Sequence, residues 1–172
     1  MAARKRTATL RPLLAANIRL LVLDVDGVLT DGSLYYGARG EALKAFHVRD
    51  GHGIKLIQAA GVRVAVISGR KSAAVARRCR ELGIRHVLQG IDNKSAALSR
   101  LLQQLQFSAG QVACIGDDTP DIPVFARAAF AVAVADAHPL ARAAAHRVTR
   151  LTGGRGAVRE VCDWLLDARS RA

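Results

Sequence analysis

Residues 20–30, LLVLDVDGVLT, constrain this chain more than any other stretch. An unbroken apolar run of Leu and Val, ending at Leu23, reads as a strand buried on both faces, as in a parallel sheet. The run delivers two carboxylates, Asp24 and Asp26, followed at once by Gly27. Side chains two apart on a strand point the same way, so both aspartates are expected to emerge together if extended geometry persists that far. Gly27 permits the sharp turn needed there. Two like charges so close repel, and burying them costs several kcal/mol. A cation between them offsets that cost, and Mg²⁺ prefers oxygen ligands. One shared proton is the alternative, and two solvated turn aspartates are the bland one.

The rest of the chain repeats the strand-then-helix rhythm. Residues 1–17 read as a basic, Ala-rich lead-in with a short helix around 13–16, and residues 18–172 as a single domain. The first strand is expected over 18–23. A β-hairpin insertion follows at about 32–47: a β-prone run at 33–36, a turn at 37–40 and a return strand over 41–48. A lone hairpin is marginal in water. Leu34, Tyr35 and Phe46 therefore need a cover, and another subunit is the natural one. Residues 49–53 read as a loop, 54–60 as a helix ended by Gly61. Further strands are expected at 62–67, 85–88, 112–115, 130–134 and 147–149. Helices are expected at 72–82, from Asp92 or Asn93 to 105, up to 128, and over 137–144 and 157–168. This alternation means an α/β fold: a Rossmann-like parallel sheet with right-handed crossovers, flanked by helices.

In such sheets ligands bind at the carboxyl ends of the strands. There the first strand presents Asp24 and Asp26, the second Ser68, and the fourth Asp117 and Asp118. Asp24 and Asp117 can hold Mg²⁺, which would polarise a phosphoryl oxygen. A free oxygen of Asp24 can attack phosphorus, and Asp26 can protonate the leaving oxygen and later activate water. Ser68 can bind phosphate oxygens, and Lys94, at a helix start, favours an anion. Asp118 and Asp121 can orient waters on a metal or cap the helix after Pro120.

Charge agrees with an anionic partner. Lys and Arg outnumber Asp and Glu by 26 to 14, a net charge of +12, part of it in the terminal residues Arg4, Lys5, Arg6, Arg11, Arg169 and Arg171. No aromatic-rich basic stretch supports nucleic-acid binding. That class remains as a reading of the charge alone, and it predicts salt-sensitive binding to mixed DNA. Cys79, Cys114 and Cys162 imply no disulfide framework. With no run of about 18 apolar residues and no signal-peptide core, no membrane span is expected and the cytoplasm is the expected compartment.

Asp24-Val25-Asp26-Gly27-Val28-Leu29-Thr30, Ser68-Gly69-Arg70, Lys94 and Gly116-Asp117-Asp118 with Asp121 resemble, in order, the four motifs of the haloacid dehalogenase superfamily. The resemblance implies Asp24 as nucleophile, Asp26 as general acid/base, Ser68 and Lys94 as phosphate binders, and Mg²⁺ held by Asp24, the backbone carbonyl of Asp26, and Asp117. A narrower resemblance, carried by Val48-Arg49-Asp50-Gly51 with Gly53-Ile54, residues 67–71, residues 134–139 and Gly153-Gly154-Arg155-Gly156 onward, is to the 3-deoxy-D-manno-octulosonate 8-phosphate phosphatase family, whose members lack a cap domain. It implies a homotetramer whose hairpins form a barrel, with the glycine-rich C-terminal segment also reaching across. It implies substrate contacts from His47, Val48, Arg49, Asp50, Gly51, Lys55, Gly69, Arg70, Arg78 and Lys94, and service in lipopolysaccharide precursor synthesis. Lys55 stands where the family is expected to carry Arg, and His47 where a small amide is frequent. A phosphatase for a nine-carbon sialic-acid-type phosphate is the close alternative, and a non-catalytic member of the fold the distant one. The short span from Asp26 to Ser68 leaves room for the hairpin and one helix, and none for a cap.

Overall fold

A computed structural model of the chain describes residues 12–172; the expectations for the basic residues at 4–11 lie outside them. The main sheet holds β1 (Leu20–Leu23), β4 (Arg63–Ser68), β5 (His86–Gln89), β6 (Val112–Gly116), β7 (Phe130–Ala133) and β8 (Arg147–Val148). Their order is β5-β4-β1-β6-β7-β8, and every pairing is parallel. β1 lies in register between two neighbours, Leu23 beside Val66 on one side and Ile115 on the other. All four of its side chains are buried, which is why the sequence shows no polar alternation there. The chain runs outward from β1 to β5, then crosses back to β6. The order therefore reverses between β1 and β6, where a crevice opens at the carboxyl ends.

Helices α1 (Pro12–Asn17) and α2 (Val48–Ala59) both pack on α7 (Ala157–Arg169), while α4 (Lys94–Leu105) packs on α5 (Ile122–Phe125). α3 (Ala73–Leu82) links β4 to β5, and α6 (Pro139–Ala144) links β7 to β8. Ser72 caps α3 through its side chain and Asn93 caps α4, each satisfying an otherwise orphaned N–H. Gly83 ends α3 in the left-handed conformation, as Gly61, at φ +85°, does just after α2. Cys79, Cys114 and Cys162 are free and buried. Burial pushes the Cys79 thiol up to about 11 and the Cys162 thiol up to about 12, which makes both inert core residues. Among the described residues no helix is long and apolar enough to cross a membrane.

Four expectations need correction. Residues 49–53 are helical: α2 begins at Val48, with the His47 ring accepting from the Arg49 N–H. Gly51 and Gly53 mark close packing here, not a loop. A Cβ on Gly51 would sit 2.3 Å from an Arg78 nitrogen, and one on Gly53 3.1 Å from the Arg159 Cα. The return strand of the hairpin is shorter than its β-prone run, pairing β2 (Tyr35–Gly37) with β3 (Gly40–Leu43) and stopping there. Phe46 needs no second subunit, since it packs on the chain's own core; Leu34, Tyr35, Tyr36 and Leu43 are the exposed ones. Lastly, extended geometry stops at Leu23. The N–H groups of Val28, Leu29 and Thr30 all reach the Val25 carbonyl, so Asp26 stands on a tight turn.

Candidate active site

That turn, not strand alternation, brings Asp24 and Asp26 to one place. Both line a cavity of about 410 Å³ with Ser68, Gly69 and Arg70 after β4, Lys94 at the start of α4, and Asp117, Asp118 and Asp121 after β6. Gly27, at φ +83°, makes the turn. It also admits a neighbour, because a Cβ there would lie 2.2 Å from an Asp117 carboxylate oxygen.

Lys94 is the hub. Its buried ammonium donates to Asp24 Oδ1 at 2.9 Å and Asp121 Oδ1 at 2.7 Å. Burial works against that charge, but Asp24 and Asp121 outweigh it and hold the ammonium above the ordinary lysine value. The other oxygen of Asp121 accepts the N–H groups of Asp117 and Asp118 at 2.9 and 3.3 Å. Asp121 therefore locks Lys94 and the Asp117 loop together with both its oxygens. Asp118 is exposed and caps the following turn through the Thr119 N–H, the capping alternative for that residue.

Carboxylate oxygens of Asp24, Asp117 and Asp121 lie within 4.8 Å of one another. Desolvation, then the Asp121 charge, pushes the Asp24 carboxyl up to about 6. Desolvation with the Asp24 and Asp121 charges pushes Asp117 up to about 8. An all-oxygen cluster whose members resist ionisation beside one another fits a hard divalent cation, which removes that resistance. Since both oxygens of Asp121 are engaged, Asp24, with one oxygen on Lys94, and Asp117 are the carboxylates left to take it.

Both carboxyls titrate above 3.8, their value in an unfolded chain. The folded state thus binds more protons than the unfolded one between those values. Their contribution to stability is complete below about pH 4 and is lost as pH rises through the folded values. Mg²⁺ is therefore expected to raise the melting temperature more at about pH 8.5 than at about pH 5.5. Melting curves with Mg²⁺ and with EDTA check this, and an equal rise at both pH values would contradict it.

The hairpin is tied to two residues of the cavity wall, Asp26 and Arg70, which the sequence did not reveal. Lys44 is ion-paired with Asp26 and, at 3.2 Å, with Glu41. Glu41 also accepts the Ser72 hydroxyl at 2.5 Å and lies 3.5 Å from the Arg70 guanidinium. Arg70 donates to the Tyr36 hydroxyl at 3.0 Å.

The remaining candidates do not line the cavity within one chain. His47, Val48, Arg49, Asp50 and Gly51 form the first turn of α2, beside Arg78 of α3. Val48 is exposed, whereas Asp50 is buried and accepts the N–H groups of Arg159 and Gly156 at 2.8 and 3.2 Å. Burial pushes its carboxyl up and these bonds pull it back only in part. Lys55 lies near Gly83 at the end of α3 and, with Arg63, Arg85 and His86, lines a hollow of about 710 Å³ at the amino ends of β4 and β5. The glycine-rich segment packs on its own chain: the Gly154 N–H donates to the Val28 carbonyl at 2.9 Å.

Comparison with known proteins agrees with this arrangement. A family model described as haloacid dehalogenase-like hydrolase matches residues 86–160. The chain is 55% identical over 157 residues to the 3-deoxy-D-manno-octulosonate 8-phosphate phosphatase KdsC of Escherichia coli K12, covering 91% of this chain and 84% of the relative. The chain belongs to this family of haloacid dehalogenase-like hydrolases. Among solved members, the Yersinia pestis phosphatase superposes with a TM-score of 0.90 at 52% identity, covering 93% of this chain and 86% of that one. The Moraxella catarrhalis phosphatase, solved with magnesium, phosphate and a KDO molecule, gives 0.90 at 42% identity, covering 93% and 92%. The parallel sheet flanked by helices described above is the fold these solved relatives share with the chain.

Proposed function

We propose that the chain is a Mg²⁺-dependent phosphatase releasing the free sugar acid and phosphate from 3-deoxy-D-manno-octulosonate 8-phosphate. The observation that carries this reading is the Asp24 carboxylate, held by Lys94 beside Asp117, in a chain 55% identical to KdsC. Lys94 orients the Asp24 carboxylate, one oxygen of which attacks phosphorus as the bond to the ester oxygen breaks. Asp26 gives that leaving oxygen a proton. It then takes a proton from the water that displaces Asp24 from phosphorus. Ser68, the loop at Gly69 and Lys94 bind the phosphate, and Arg70 reads the substrate beyond it. Asp24, Asp117 and the Asp26 carbonyl hold Mg²⁺, which when bound neutralises charge on the transferred phosphoryl group.

The single-chain cavity is open and small. Leu34, Tyr35, Tyr36 and Leu43 stay exposed on the hairpin, and apolar surface of that kind favours association. A homotetramer answers both points, with the turn from His47 to Gly51, Lys55 and Arg78 of one subunit completing a neighbour's site for the substrate carboxylate. Residues 18–172 then act as one capless domain, in the cytoplasm, in lipopolysaccharide precursor synthesis.

The test is phosphate release from 3-deoxy-D-manno-octulosonate 8-phosphate with Mg²⁺ and with EDTA, beside simple sugar phosphates and a nine-carbon sialic-acid-type phosphate. Metal-dependent release selective for the eight-carbon substrate is expected. Preference for the nine-carbon ester would move the assignment to that acid sugar. Uniform slow release would leave the chemistry and remove the substrate.

A further inference from the structure

Asp26 has a positioning problem that the four motifs leave unsolved. It stands on a turn, its side chain is 22% exposed, and a general acid must meet the leaving oxygen within hydrogen-bond reach. We propose that Lys44, carried by the hairpin, is the positioning residue that aims the Asp26 carboxyl at the leaving oxygen. The claim rests on the phosphatase reading above and adds to it a residue outside the motifs.

Three observations carry it. The Lys44 side chain is only 1% exposed and is absent from the cavity lining, so it does not meet substrate directly. Its ammonium is shared between two carboxylates, Asp26 Oδ1 and Glu41. A buried lysine is stable only when so paired. Glu41 is in turn fastened to Ser72 and Arg70 on the loop after β4. The chain of contacts runs from the loop at Gly69 through Glu41 and Lys44 to the acid. With Lys44 on Oδ1, the proton in transit is carried by Oδ2; the nearest Arg70 nitrogen is 3.7 Å away, beyond a hydrogen bond. Lys44 exchanges no proton: the one given to the leaving oxygen comes from Asp26, and it is restored from the attacking water. In a chain without a cap domain, the hairpin thus supplies the outer support of the acid.

The leaving group separates this role from a merely structural one. Expulsion of p-nitrophenolate needs no proton, whereas expulsion of a sugar alkoxide does. kcat/KM, which reports phosphorylation of Asp24, is to be measured for K44M and K44R on p-nitrophenyl phosphate, phenyl phosphate and the sugar-acid phosphate. For K44M the loss is expected to grow along that series, from within about threefold to about 30- to 100-fold, with K44R recovering most of it. Equal loss on all three esters, or no loss on the sugar-acid phosphate, overturns the proposal. If the unsubstituted protein releases no phosphate from any ester, the phosphatase reading fails instead.

Discussion

Asp24→Asn is expected to lower phosphate release from every phosphomonoester at least about a thousandfold, roughly 4 kcal/mol of transition-state stabilisation. The amide keeps the shape of the carboxylate and the contact with Lys94, but it is a poor nucleophile and a weaker metal ligand. The same change should not destabilise the metal-free protein near neutral pH. Asp24 is desolvated and repelled by Asp121, and Lys94 keeps Asp121 as a partner. A neutral side chain removes that repulsion, the usual tension between a working site and a stable one. Steady-state assays and melting curves on one preparation check both halves. Activity within tenfold of the parent would sink the covalent mechanism, and a collapsed fold would show that Asp24 is held for packing.

The parts of the site that were legible are those written as contiguous motifs at strand ends. The all-apolar β1, the alternation of strands with helices, and the polar residues closing the first, second and fourth strands led directly to a crevice between β4, β1 and β6. Local chemistry alone decides these features. What escaped was decided by contacts between distant segments. Two glycines make residues 49–53 look like a loop because a helix interior disfavours glycine, yet Gly51 and Gly53 sit where α2 is closely approached, Gly51 by the mobile end of Arg78 and Gly53 by the Arg159 backbone. The commitment of Asp121 to Lys94 depends on pairing across 27 positions. The Lys44–Asp26 pair depends on how the hairpin folds back, which no pattern within the hairpin reveals. Strand alternation is an incomplete reason for Asp26 to reach the site, because a turn closed on the Val25 carbonyl brings it there.

Gly153→Ala is expected to lower the rate about a hundredfold from outside the cavity. A Cβ on Gly153 would lie 1.7 Å from the Gly27 carbonyl oxygen and 3.1 Å from that of Thr30. Both are backbone atoms of the loop that carries Asp26, so no flexible side chain can yield. The Gly153 N–H is held by Asp136 at 3.0 Å, after β7, and the next N–H by Val28 of the Asp26 loop itself, so the 153–154 segment is pinned both away from that loop and against it. Either the catalytic loop or the glycine segment must move by more than an ångström. Overpacking of this kind costs about 1–3 kcal/mol, and a shift of about 1 Å in a reacting group costs about a hundredfold in rate. Gly61 is the control. It has positive φ, at +85°, but nothing within 4 Å of its would-be Cβ, so Gly61→Ala carries only backbone strain of about 1–2 kcal/mol with kcat unchanged. Assays and denaturant melts on both variants separate steric displacement from backbone strain. Equal kcat in the two would mean that the glycine segment does not buttress the catalytic loop.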